Sequence, residues 1–134
     1  MSYTLHVYFT EEKNYNKQTS FDSVKKLFSN SNRVVFTNAK NIFTKEDYLK
    51  LTIDNRYNIS VFFDDNATVS DDLEYILGKR LKCNARMRFL FAPDPENDFD
   101  DVAVILLDYL ESLDKVILYS PNLKKIIFNS FITK

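Results

Sequence analysis

The stretch NARMRFLFAPDPENDFDDVAVILLDYLESLDKVILY, residues 84 to 119, decides the fold class. In its first part Ala85, Met87, Phe89 and Phe91 share one face while Arg86, Arg88 and Leu90 take the other, the two-residue period of a strand. Pro93 and Pro95 then break the chain. Val102, Ile105, Leu106, Tyr109, Leu110 and Leu113 recur at helical spacing over three turns, with Asn97 or Asp98 as the predicted N-cap. Val116 to Tyr119 is apolar on both faces, as expected of an inner strand in a sheet covered on each side. A strand, a helix and a strand in succession predict a right-handed parallel crossover.

Elements on either side extend this pattern. Tyr3, Leu5, Val7 and Phe9 alternate with Thr4, His6, Tyr8 and Thr10, predicting a first strand with one buried face. Thr19 with Asp22 resembles a capping box ahead of a helix that places Phe21, Val24, Leu27 and Phe28 on one side and stops near Asn30. Arg33 to Thr37 reads as a short strand, Leu49 to Asp54 with Asn58 to Phe63 as a hairpin, and Asn38 to Tyr48 is ambiguous. Thr68 or Ser70 is the predicted cap of a helix with Leu73, Ile76 and Leu77 inward and Gly78 at its end. Leu123 to Ile132 predicts a last strand. The expectation is one globular domain over residues 1–134, an α/β or α+β sandwich with a mixed central β-sheet and about three helices.

Composition narrows the function. At 134 residues, folding buries roughly two thirds of the chain's surface, enough for a core without metal or disulfide support, and 12 Phe and 8 Tyr supply its bulk. A single Gly excludes, by residue type, the glycine-rich cradles that bind nucleotide phosphates. Asn and Asp are therefore expected at most positive-φ turns. The lone Cys83 cannot form an internal disulfide, no window approaches the roughly 18 apolar residues of a membrane span, and the first ten residues carry no basic n-region, so a cytoplasmic location is expected.

Charge is sorted along the chain. Local balances are +3 for residues 1–63, −8 for 64–114 and +4 for the last twenty, hidden inside a net −1. Two stretches make the middle acidic: Asp64, Asp65, Asp71, Asp72 and Glu74, and then Asp94, Glu96, Asp98, Asp100, Asp101, Asp108, Glu111 and Asp114.

Catalytic constellations are thin. His6, the single imidazole, lies on the polar face of the first strand and reads as a surface or edge residue; one His and one Cys do not make a zinc set. Asp64 and Asp65 close an apolar strand where magnesium ligands could sit, but adjacent strand residues point to opposite faces. Lys79, Arg80, Lys82, Arg86 and Arg88 form a basic island, yet Phe89 and Phe91 face away from Arg86 and Arg88, so a nucleic-acid platform is not expected, and the island reads as a solvated strand face paired with acids. No catalytic, cofactor or metal residue is assigned, and no enzyme activity is expected.

The remaining anomaly is the far side of the long helix, where Asp101, Asp108, Glu111 and Asp114 surround Val104 and Leu107, an apolar spot inside a charged rim. Clustered carboxylates suit a cationic partner. In size, composition and charge the chain resembles the small immunity proteins of contact-dependent growth inhibition and related polymorphic toxin systems. That resemblance implies a bacterial cytoplasmic inhibitor binding a cognate basic toxin, with a nuclease as the expected toxin class. The residues expected to bind it are Asp64, Asp65, Asp71, Asp72, Asp94, Glu96, Asp98, Asp100, Asp101, Val104, Leu107, Asp108 and Glu111, gathered into one negative surface. The alternatives are a phage-encoded acidic mimic of nucleic acid that inhibits a host DNA-binding protein, and a metal-dependent enzyme built on carboxylates; neither a membrane nor a nucleic acid is an expected partner.

Overall fold

A computed structural model describes residues 3–10, 16–79, 81, 83, 85–113 and 115–129. The elements are β1 (Tyr3–Phe9), α1 (Lys17–Leu27), β2 (Val34–Lys40), β3 (Asp47–Ile53), β4 (Tyr57–Asp64), α2 (Ala67–Leu77), β5 (Ala85–Phe91), α3 (Asp100–Glu111), β6 (Val116–Ser120) and β7 (Lys125–Asn129). One seven-stranded sheet in the order β2-β3-β4-β5-β1-β6-β7 makes the fold α+β.

Every neighbouring pair of strands is antiparallel, so the sheet is not mixed. β5 and β6 do run in the same direction, as the strand-helix-strand pattern predicts, because each is antiparallel to β1. They are not bonded to each other: β1 lies between them, with Val7 opposite Met87 on one side and Leu118 on the other. The local pattern sets strand direction, whereas the inserted strand comes from the far end of the sequence.

Two cores follow from the alternation. On one face Leu5, Val7, Leu51, Val61 and Phe89 pack under α1 and α3, which contribute Phe21, Val24, Val102, Leu106 and Leu110. On the other, Tyr8 and Ile117 pack with Val69 and Leu73 of α2 and with buried Cys83. β1 thus buries Tyr8 on the face expected to be polar, because α2 covers it.

Helix starts and turns differ from the sequence expectation in detail. Asn16, not Thr19, caps α1 by accepting from the Thr19 amide at 2.9 Å, and Asn66, not Thr68 or Ser70, caps α2 by accepting from the Thr68 amide at 3.0 Å. Each Asn sits one residue before the first helical residue, where its short amide reaches the orphan N–H groups. Neither Asn97 nor Asp98 caps α3; Asn97 takes a left-handed turn (φ 57°) that returns the chain so that Asp94 accepts from the amides of Asp98 (3.0 Å) and Phe99 (2.9 Å). Gly78 ends α2 at φ 72°, and Asp54 and Asn55 turn the β3–β4 hairpin with positive φ, but Lys45, Lys115 and Lys124 also adopt it. The ambiguous segment resolves into the end of β2, a turn at 41–46 and the start of β3. Arg80, Lys82, Asn84, Asp114 and the chain from Ser130 onward lie outside the described residues.

Candidate functional site

The acidic middle of the sequence divides in space. Asp64 closes β4 opposite Arg86, on the face covered by α2, whereas Asp94 and the start of α3 follow the other end of β5 and lie with the opposite face. Arg86 and Phe91 are five residues apart on one strand, about 17 Å at strand rise. The expectation of one continuous negative surface therefore fails.

The first group turns inward. Asp64 is buried and accepts from Arg86 Nε (2.9 Å), Arg88 Nε (2.7 Å) and Arg88 Nη2 (3.1 Å). Arg86 reaches on to Asp72 of α2 at 2.8 Å and to the Tyr8 hydroxyl at 3.4 Å, while Arg88 donates to Glu46 at 2.8 Å and lies 4.7 Å over the Phe62 ring. Burial raises the Asp64 pKa, but hydrogen bonds from Arg88 and the charges of Arg88 and Arg86 outweigh it and hold the carboxyl below its ordinary value. Asp64 is thus unavailable to a partner; Arg86 and Arg88 do pair with acids as expected, but Arg86 is buried and Arg88 half-buried, so the strand face is not solvated. The reason is register: the alternation that turns Phe63 into one core turns Asp64 toward the other face, where Arg86 and Arg88 already point. Asp65 and Asp71 remain exposed on this side, and Asp72 is half exposed with its charge committed to Arg86.

His6 sits beside this network and is not a surface histidine. Its Nδ1 is buried without a hydrogen-bond partner, and burial together with the charges of Arg86 and Arg88 lowers its pKa to about 4. The ring is therefore neutral at physiological pH. Burial likewise pushes the Cys83 thiol up to about 11, which makes it a packing residue.

The second group faces outward and forms the candidate site. Residues 93–111 hold seven carboxylates and no Lys or Arg. Buried Val102, Leu106 and Leu110 fix the inner side of α3, so that Asp101, Val104, Asp108 and Glu111 project from the outer side. Val104 is 53% exposed, and Ile105, predicted for the core stripe, is 42% exposed beside it. Ile105 stands at the edge of that stripe, about 100° from its centre, which is why periodicity alone misplaces it. Leu107 is half-buried against the core. Asp98 and Asp101 are tied to Arg56 (3.2 Å) and Arg33 (2.5 Å), both exposed pairs; Arg33 also grips Asp54 at 2.8 Å. These contacts pin the loop and first turn of α3 to the β3–β4 hairpin. Glu96, Asp108 and Glu111 make no ion pair with a described residue.

A cavity of about 210 Å³ opens where the loop meets the sheet. Tyr3, Phe91, Tyr57 and Phe99 wall it, Ala103 and Leu107 of α3 line it, and Asp94 and Asp100 add carboxylates. Tyr57 and Phe99 stack at 4.4 Å and 10°, and the Tyr57 hydroxyl donates to the Ala92 carbonyl at 2.8 Å. Burial, then the charges of Asp94 and Asp100, raise the Tyr57 pKa. None of these aromatic walls was predicted as a site residue, because each reads as core in its own strand; only the stacking across the loop brings them together.

No protein-family model, curated protein or solved structure matches the chain. Among the described residues no helix is long and apolar enough to cross a membrane, and no three His, Cys, Asp or Glu side chains converge as a metal set.

Proposed function

We propose that this protein is an immunity-type inhibitor that binds and neutralises a basic protein toxin, in the cytoplasm, through the outer face of α3 and the loop before it. The observation that carries this reading is the exposed Val104 and Ile105 among Asp101, Asp108 and Glu111, an apolar centre with an acidic rim. Apolar side chains there give a partner area to bury, and the carboxylates give it a preferred sign of charge. The ties from Arg33 and Arg56 and the two loop hydrogen bonds accepted by Asp94 hold the surface in one conformation before binding, which lowers the entropy lost on association. A nuclease, whose phosphate-binding cleft is cationic, is the partner class this charge suits best.

The test is affinity capture and binding kinetics with the toxin encoded beside this gene. The double reversal Asp108→Lys with Glu111→Lys is expected to slow association about tenfold or more at low salt, an effect that shrinks as salt is raised. Val104→Asp is expected to speed dissociation without changing the unfolding midpoint. Unchanged kinetics in both variants remove this face from the interface.

A further inference from the structure

The cavity beside the first turn of α3 selects its guest by shape and charge. A cavity of about 150 Å³ suffices for benzene, so 210 Å³ admits a flat group with part of its stem. Its walls are aromatic, which suits a planar cation more than an anion, and the carboxylates of Asp94 and Asp100 lie in the lining. An anion is disfavoured on a second ground. The amides of Asp98 and Phe99, just before α3, are already taken by the Asp94 carboxylate and are not free to hold an anion there.

The chain twice shows the same chemistry on itself. Arg56 lies 4.7 Å over the Phe99 ring while bonded to Asp98 at 3.2 Å, and Arg88 lies 4.7 Å over Phe62 while bonded to Asp64 at 2.7 Å. Each is a guanidinium held by a ring and a carboxylate together. Phe99 is already engaged by Tyr57 and Arg56, and Asp94 by two backbone amides, but the rings of Tyr3 and Phe91 and the carboxylate of Asp100 line the cavity with no guanidinium of the chain among the lining residues.

We propose that this cavity is the receptor for one arginine side chain of the basic protein partner. The identity of the partner rests on the function proposed above; the choice of arginine rests on the cavity. Arginine fits better than lysine because its planar, weakly hydrated head stacks on rings and bonds a carboxylate through two N–H groups, whereas an ammonium does neither as well. The cavity adjoins the binding face through Leu107 and Asp100, so one partner can cover both.

The experiment titrates the isotopically labelled full chain with N-acetyl-arginine amide, N-acetyl-lysine amide and the neutral isostere N-acetyl-citrulline amide, following amide NMR signals. Saturable shifts at Phe99, Asp100 and Ala103 are expected with the arginine probe, with a Kd on the order of millimolar for so small a ligand. The other two probes are expected to bind roughly tenfold more weakly. Asp100→Asn is expected to weaken the arginine probe severalfold and leave citrulline unchanged. Absence of saturation, or equal binding of the three probes, overturns the assignment. Ala103→Leu, which fills the cavity from α3, separates the two readings: a toxin bound with equal affinity by this variant and the unmodified protein overturns the arginine receptor while leaving the acidic face standing.

Discussion

Replacing Asp64 by Asn tests whether the charges at the end of β4 belong to the interior. The carboxylate is 7% exposed and serves two guanidiniums, one of which, Arg86, is 8% exposed. An Asn is almost isosteric, but it offers one neutral oxygen and turns an N–H₂ group toward donors that cannot accept. Removing one partner of a buried ion pair costs about 3–5 kcal/mol, chiefly because the opposite charge stays behind without compensation. Here the lower end applies, since Arg86 keeps Asp72 and Arg88 keeps Glu46, each at 2.8 Å. A loss of about 3 kcal/mol is a large part of the 5–15 kcal/mol that stabilises a typical domain. With a urea m-value of about 1.5–2 kcal/mol/M, the unfolding midpoint falls by roughly 1.5–2 M at unchanged m. Asp72→Asn is the control: its side chain is 52% exposed, water can replace it, and the expected loss is about 1 kcal/mol or less. Equilibrium urea unfolding followed by circular dichroism measures both. If Asp64→Asn also loses less than about 1 kcal/mol, the carboxylate is hydrated like a surface group, the network is not desolvated, and the acidic region could extend to that end of the sheet after all.

Acidification should destabilise the protein in two steps. His6 has a folded pKa of about 4 against 6.5 unfolded, so the unfolded state binds the proton first and stability falls as pH drops from 6.5 toward 4; His6→Gln should flatten that limb of a stability-pH curve. Asp64, held below its ordinary value of 3.8, contributes stability above that pH and loses it as pH falls further, a limb absent in Asp64→Asn. The Cys83 thiol, buried with a pKa of about 11 against an ordinary 9.0, should react with a disulfide reagent at pH 8 roughly a hundredfold more slowly than in urea, from ionisation alone; comparable rates would place it at the surface.

What the sequence discloses here is local, and what it withholds is pairing. The alternation in Ala85–Phe91 and Tyr3–Phe9 and the stripe of α3 place their inward faces correctly, because period and burial are linked by geometry. The same alternation points Asp64, Arg86 and Arg88 away from the main core, but whether that face is solvated depends on where α2 returns, which no short-range pattern contains. Charge sorting had the matching weakness: thirteen acids between residues 64 and 114 read as one field only while their partners are unknown. Arg33, Arg56 and the aromatic walls Tyr3, Tyr57, Phe91 and Phe99 join the candidate site from four separate segments, so only the folded chain identifies them. The signal available in advance was the pair of prolines at 93 and 95 within an acidic loop, which marks an ordered surface segment but not the hairpin it leans on.

The arginines explain how a chain with a net charge of −1 can still carry an acidic face. Arg86 and Arg88 are spent on Asp64, Asp72 and Glu46, inside or at the margin of the second face, where a charge cannot be surrendered without desolvation loss. Arg33 and Arg56 pair with acids that are 39% to 57% exposed, and such pairs contribute little stability. The two sets therefore answer differently to an incoming cation. The buried set is fixed and withdraws the charges of Asp64, Asp72 and Glu46 from the α2 side, although Asp65 and Asp71 remain exposed there. The exposed set orders the loop in the free protein, yet its carboxylates can be released to a competing guanidinium at small cost. A surface built this way is preorganised without being saturated. That combination is what rapid encounter with a cationic protein requires, and it would be lost if Arg33 and Arg56 were as deeply buried as Arg86.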